Sequence, residues 1–257
     1  MKNYKNIILS IIFLGLFSCT PIKKEQKQSI TVFSGAGLTD VLTEIVDSFE
    51  VKNHIKVKTN LASSGTLARQ IEQGEVPDVY ISASKKWADY IDSLGFTLAN
   101  YKQGVAINNM VLIAPKNSTL NIAAIDSSLD IASILKDERL SMGDPAHVPA
   151  GKYAKQALEY YGWYKPLKDR ILPAKDVRSA LMVVELGETP LGIVYKTDAL
   201  KSEKVRILTT FPSKSHIPIS FIASVLKDNK LAKDFYTFLS AEEMKSVWEK
   251  HGFITKR

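Results

Sequence analysis

The chain has 257 residues, a formal net charge of +7, 45% apolar residues and 24% charged ones. That is too apolar for a disordered chain and long enough to bury a core without staples; at roughly 150 residues per domain it predicts one large domain or two lobes. The single cysteine excludes an internal disulfide, a multi-cysteine zinc site and a cysteine-held iron–sulfur cluster.

Lys2 and Lys5 open the chain, and an apolar run from Ile7 to Phe17 follows, broken by Ser10 and Gly15. The run is too short for a permanent membrane helix and suits the core of a secretory signal peptide. It ends in Leu16-Phe17-Ser18-Cys19, which resembles the lipobox of bacterial lipoproteins. That resemblance implies removal of residues 1–18, lipid on the Cys19 thiol, and a location in the bacterial cell envelope. Residues 19–28, rich in Lys and Gln, read as a polar tether. The remaining basic residues are spread along the chain without a dense patch or interleaved aromatics, so nucleic acid is not an expected partner. The excess of positive charge favours attraction of an anion.

Beyond the tether, strand and helix patterns alternate. Ser29 to Ser34 is β-branched and stops at Gly35-Ala36-Gly37; Leu38, Leu42, Ile45, Val46 and Phe49 then recur at helical spacing. Ile55 and Val57 alternate with lysines as a strand, Leu67 and Ile71 begin a helix, and Val79-Tyr80-Ile81 is the next strand. Trp87, Tyr90, Ile91 and Leu94 form a further helical stripe, ended by Gly95. The same grammar resumes with a strand at Met110 to Ala114, helices at Ala150 to Tyr161 and Val177 to Glu185, and strands at Leu191 to Tyr195 and Ile219 to Val225. Helices around Leu231 to Leu239 and Ala241 to Trp248 complete it. This order predicts an α/β protein with two lobes, each a mainly parallel sheet flanked by helices, and a ligand cleft between them. The lobes are expected at residues 29–106 plus 210–257 and at residues 107–209.

Catalytic motifs are missing from the sequence. His54, His147, His216 and His251 are far apart and lack metal-ligand spacing, Ser64 has Ala62 where a nucleophile elbow needs glycine, and no Walker-type loop occurs. Gly35-Ala36-Gly37 begins a dinucleotide fingerprint, but Asp40 stands where the third glycine belongs. An enzyme is not expected, nor a cofactor.

Four loops have the make-up of anion cradles: Ser34 to Thr39, Ala62 to Leu67, Gly143 to Gly151 and Pro173 to Arg178. Each precedes a helix whose first N–H groups lack intrahelical acceptors. Singly, the hydroxyls of Ser63, Ser64 and Thr66 read as ordinary helix caps. Pro149 is suited to a helix start, which leaves the N–H of Ala150 facing outward. Asp176 is a cap that frees the Val177 N–H. Tyr195, ending a strand, either reaches the cleft with its hydroxyl or is a half-buried core tyrosine.

Taken together, Ile30 to Phe33, Ala62 to Gln70 (ASSGTLARQ), Pro77 to Ala83, Gly143 to Ala154 (GDPAHVPAGKYA), Pro173 to Arg178, Pro190 to Tyr195 (PLGIVY) and His251-Gly252-Phe253 resemble the periplasmic molybdate-binding proteins of bacterial ABC importers. The resemblance implies a two-lobed, monomeric binding protein that closes over molybdate or tungstate and passes it to a membrane permease with a cytoplasmic ATPase. It implies an oxyanion held by neutral donors only, without metal-ion ligands: Ser64 and Tyr195 through their hydroxyls, Ala150 and Val177 through their N–H groups. A further serine of the family pattern falls on Gly37, which offers an N–H but no hydroxyl; Ser34 on the same loop is the candidate substitute. A carrier of another tetrahedral oxyanion, sulfate or phosphate, is the alternative.

Overall fold

The computed structural model describes residues 28–122, 124–126 and 128–255. The signal segment 1–18, Cys19 and most of the tether lie outside these residues. Among the described residues no helix is long and apolar enough to cross a membrane.

The first run of elements is β1 (Ser29–Gly35), α1 (Thr39–Asn53), β2 (Lys56–Ala62), α2 (Ser64–Glu72), β3 (Val79–Ser82), α3 (Lys85–Ser93) and β4 (Lys102–Asn108). A second follows: β5 (Met110–Pro115), α4 (Ile131–Leu135), β6 (Leu140–Gly143), α5 (Pro149–Tyr160), α6 (Tyr164–Leu167), β7 (Ile171–Ala174), α7 (Val177–Glu185), β8 (Leu191–Tyr195), α8 (Lys196–Leu200) and β9 (Val205–Thr210). The chain then returns with β10 (Ile219–Val225), α9 (Lys230–Phe238) and α10 (Glu242–Lys250).

The strands form two five-stranded sheets, in the orders β2-β1-β3-β10-β4 and β7-β6-β8-β5-β9. In each sheet one strand runs against the others: β10 in the first, between β3 and β4, and β5 in the second, between β8 and β9. The β1–β2, β1–β3, β6–β7 and β6–β8 pairings are parallel. The chain passes between the sheets twice, at Asn109 and between β9 and β10. Two mainly parallel sheets with flanking helices is the architecture expected from the alternating grammar.

Strand periodicity decides what each sheet face buries. Ile30 and Val32 of β1 pack with Leu38, Leu42, Ile45 and Phe49 of the α1 side, whereas Phe33 faces the other way into a cluster with Leu67, Ile71, Tyr80, Trp87 and Ile91. In the second sheet Met110 to Ala114 and Ile193 and Val194 are wholly buried, as the near-continuous apolar runs of covered strands demand.

β4, β6, β7 and β9 leave little trace in the sequence pattern. β4 carries Gly104 inside it and β6 is only Leu-Ser-Met-Gly; β7 and β9 are edge strands, β7 containing Pro173. Proline is tolerated at an edge because a missing N–H there breaks no ladder.

Candidate functional site

Parallel strands followed by helices put their connecting loops at the carboxyl ends of the strands, the usual ligand side of an open α/β sheet. In the first sheet β1, β2 and β3 end at Gly35, Ala62 and Ser82; in the second β6, β7 and β8 end at Gly143, Ala174 and Tyr195. These six ends converge on one small cavity. Gly35, Gly37, Ser63, Ser64 and Ala83 line it from the first sheet, and Val148, Ala150, Asp176, Val177 and Tyr195 from the second.

Five of the six residues singled out in the sequence therefore meet: Gly37, Ser64, Ala150, Val177 and Tyr195. Ser34 does not line the cavity. It is wholly buried, and its Oγ has no hydrogen-bond partner among the described residues. By strand alternation it shares the face of Ile30 and Val32, which look towards α1, while Gly35 takes the opposite one.

Three helices of nine residues or more begin at the wall: α2, α5 and α7. Ser63 caps α2, its Oγ accepting the Thr66 N–H at 3.1 Å. Val148, before Pro149, gives α5 no side-chain cap, so the Ala150 N–H has no acceptor within the helix. Asp176 caps α7 by accepting the Ser179 N–H at 2.7 Å, which leaves the Val177 N–H uncovered. Three N-terminal partial positive charges thus point at one small space.

Two hydroxyls complete the wall. Ser64 Oγ is wholly buried and accepts the Ala83 N–H at 2.9 Å, so its own proton is available to a further acceptor. Tyr195 is 1% exposed, and its hydroxyl finds no partner among the described residues. Its ring is wedged between Tyr153 and Phe221, with centroids at 6.4 and 5.8 Å. Burial pushes the phenol well above its ordinary range, with the neighbouring Tyr153 and Asp198 acting in the same direction, so it is a donor at neutral pH. A buried hydroxyl without a partner costs about 1–3 kcal/mol, which an acceptor placed in the cavity would recover.

Gly37 and Gly65 are positions of close approach. A Cβ built on Gly37 would lie 3.0 Å from Tyr195 Cδ2 and 3.3 Å from Asp198 Oδ2, so the tyrosine ring rests directly on this turn. Gly65 donates its N–H across the cleft to the His147 carbonyl at 3.2 Å, and a Cβ there would collide with that same oxygen. Tyr153 makes a second crossing, its hydroxyl donating to the Ala83 carbonyl at 3.4 Å.

Behind Gly37 lies a charge cluster that no sequence motif marks. Asp198 on α8 is wholly buried, and among the described residues no other residue donates a hydrogen bond to its carboxylate. Arg178 Nε lies 2.5 Å from Asp198 Oδ1, an ion pair whose N–H is not aligned on the oxygen. Another nitrogen of the same guanidinium pairs with Asp40 on α1. Burial raises Asp198 to about 7; Arg178 opposes this, while Asp40 and Asp176 add to it. Helical or strand periodicity does not report the burial of a lone acid, which is why Asp198 was invisible in the sequence.

This wall offers donors and helix N-termini and no lysine or arginine among its lining residues. Among the described residues, moreover, no group of three or more His, Cys, Asp or Glu could hold a metal ion. Chemically the arrangement receives a small acceptor-rich anion.

Residues 30–254 match the family described as bacterial extracellular solute-binding protein. The chain is 41% identical over 230 residues to the molybdate-binding protein ModA of Escherichia coli (strain K12), covering 88% of this chain and 89% of that one. It is 39% identical to the molybdate-binding protein ModA of Haemophilus influenzae, with all of both chains covered. Among solved structures it is similar to the periplasmic molybdate-binding protein of Azotobacter vinelandii, with a TM-score of 0.77 at 20% identity, over 89% of this chain and 100% of that one. With the fold, the cavity at the strand ends and these likenesses in agreement, the chain belongs to the bacterial extracellular solute-binding proteins.

Proposed function

We propose that this protein captures molybdate, and tungstate with it, outside the cytoplasm and delivers the anion to an ABC-type membrane permease. The observation that carries the reading is the Tyr195 hydroxyl, buried and without a partner among the described residues, in a cavity that it shares with Ser64, Ala150, Val177 and Gly37. The names of the Escherichia coli and Haemophilus influenzae relatives support the choice of anion.

A wall in which donors outnumber acceptors, its one carboxylate Asp176 capping α7 by accepting the Ser179 N–H, suits a fully deprotonated dianion. It disfavours hydrogen phosphate, whose proton would lack a partner. Sulfate has the same charge as molybdate and is smaller, so the fit of the cage must reject it. Ser64 and Tyr195 donate hydroxyls, Ala150 and Val177 donate N–H groups, and Gly37 contributes its N–H alone. The two sheets act as lobes, 29–106 plus 210–257 and 107–209, that swing about the two chain crossings and shut on the ligand. The mature chain works as a monomer, held in the cell envelope through lipid on Cys19 and spaced from the membrane by residues 19–28.

Calorimetric titration of the anion-free chain lacking residues 1–18 tests the assignment. Tight binding of molybdate and tungstate, with sulfate and phosphate failing to compete, is expected; preference for sulfate or phosphate would overturn it. For the anchor, Cys19→Ser should abolish labelling of cells' protein by radioactive fatty acid and release it from the membrane fraction.

A further inference from the structure

We propose that Arg178 is a positioning residue for the bound oxyanion, one guanidinium that fastens together the elements carrying Gly37, Val177 and Tyr195 when the lobes are shut. The inference rests on the oxyanion-binding reading and adds a residue that does not line the cavity.

Arg178 follows Val177 directly and occupies the second position of α7. Its Nε is paired with Asp198, three residues beyond Tyr195 on α8. Its outer nitrogen is paired with Asp40, three residues beyond Gly37 on α1. The helix α7 also packs against the turn that contains Gly37. A single side chain is therefore tied to the backbone segments of three of the five donors.

The two arms differ in kind. α7 and α8 both pack on the second sheet, so the Arg178–Asp198 arm lies within one lobe and persists when the cleft opens. It keeps a wholly buried carboxylate compensated in either state. α1 packs on the first sheet, so the Arg178–Asp40 arm crosses the cleft and exists only in the closed form. An interaction made only after closure slows ligand release and leaves encounter unchanged.

Arginine is suited to the task because its planar fork presents several donors in fixed directions, whereas the ammonium of lysine is a point charge that satisfies one carboxylate at a time. Other charged groups are near. Asp176 caps α7, Glu185 lies further along it, and Lys201 and His251 lie beside Gly37, Asp40 and Arg178. Glu44, one turn after Asp40, is already held by His251 and Lys250 and is not free to replace it.

The test is stopped-flow measurement of molybdate association and dissociation for the parent, Asp40→Asn, Asp40→Glu, Arg178→Lys and the Asp40→Asn/Arg178→Lys pair. Asp40 is 39% exposed on its side chain, so its neutral variant folds without leaving a buried charge. Asp40→Asn should raise the dissociation rate about fivefold and leave association within about twofold, since a partly exposed ion pair is worth up to about 1 kcal/mol. The melting temperature without ligand should not move. Arg178→Lys should raise dissociation by a similar factor, the pair should exceed neither single change, and Asp40→Glu should restore most of the parental rate. Unchanged dissociation in Asp40→Asn, or effects that multiply in the pair, would overturn the proposal and leave the molybdate assignment standing. Failure of the parent chain to bind any tetrahedral oxyanion would overturn that assignment and this inference with it.

Discussion

On the first-sheet side of the cavity the polar groups are already engaged: Ser63 caps α2, Ser64 Oγ accepts the Ala83 N–H, and Gly37 brings no side chain. On the second-sheet side the Tyr195 hydroxyl is buried with no partner among the described residues, α5 has no side-chain cap, and the Val177 N–H stays uncovered although Asp176 caps α7. Both walls come from the same strand–loop–helix grammar, yet the uncommitted donors are concentrated on the second. If the anion binds as proposed, the second sheet would supply most of the free donors and the first mainly the shape of the cavity.

Tyr195→Phe should break this picture most visibly. A donor to a charged acceptor is worth about 1.5–3 kcal/mol, so molybdate affinity should fall roughly ten- to a hundredfold by calorimetry. The ligand-free variant should melt no lower than the parent, because the change deletes a hydroxyl that has no partner. A large loss of stability without loss of affinity would mean that the tyrosine is only core.

Val177→Pro removes a single N–H. Proline is accepted at the first position of a helix, and Asp176 before it is extended, at φ −158° and ψ 175°, as a residue preceding proline prefers. Affinity should drop about tenfold with helix content by circular dichroism unchanged.

Ser64→Ala probes the opposite wall and should cost less, about three- to fivefold, because it releases the Ala83 N–H beside the same cavity. A loss equal to that of Tyr195→Phe would erase the asymmetry. Gly37→Ser sharpens the same point. It adds a hydroxyl, but its Cβ must push the Tyr195 ring from 3.0 Å, so the gain and the displacement should leave affinity within about threefold of the parent.

A last effect acts on stability rather than affinity, through pH. Asp198 is raised to about 7 in the fold, against about 3.9 in an unfolded chain. The folded state therefore holds this proton more tightly. Its contribution to stability is complete below about pH 4 and is lost as pH rises through about 7. Thermal melting of the parent should decline across that window relative to Asp198→Asn, which has no proton to lose there. Parallel pH profiles would show that Asp198 is not the titrating group.

Much of this was legible in the chain. Alternating β and α patterns marked six of the ten strands and the two-lobed α/β plan, and the loops ASSGTLARQ, GDPAHVPAGKYA and Pro173 to Arg178 pointed to three of the donors, Ser64, Ala150 and Val177. What escaped depends on distance between remote residues. Ser34 and Gly35 are neighbours in sequence, but the pleat turns one towards α1 and the other towards the cavity. Ala83 enters the wall as the residue after β3 and partner of Ser64. Arg178 was visible as a loop residue, yet its bond to Asp40 spans 138 positions. No local pattern encodes such a pairing.

The crossing at Gly65 has a dynamic consequence. Its amide hydrogen is shielded by a carbonyl that belongs to the other side of the cleft. Each parting of the two sides would expose that one proton to solvent deuterium, while the amides inside β1 and β3 remain protected. The exchange rate of a single glycine is thus a built-in clock for how often the molecule opens, readable with no probe attached.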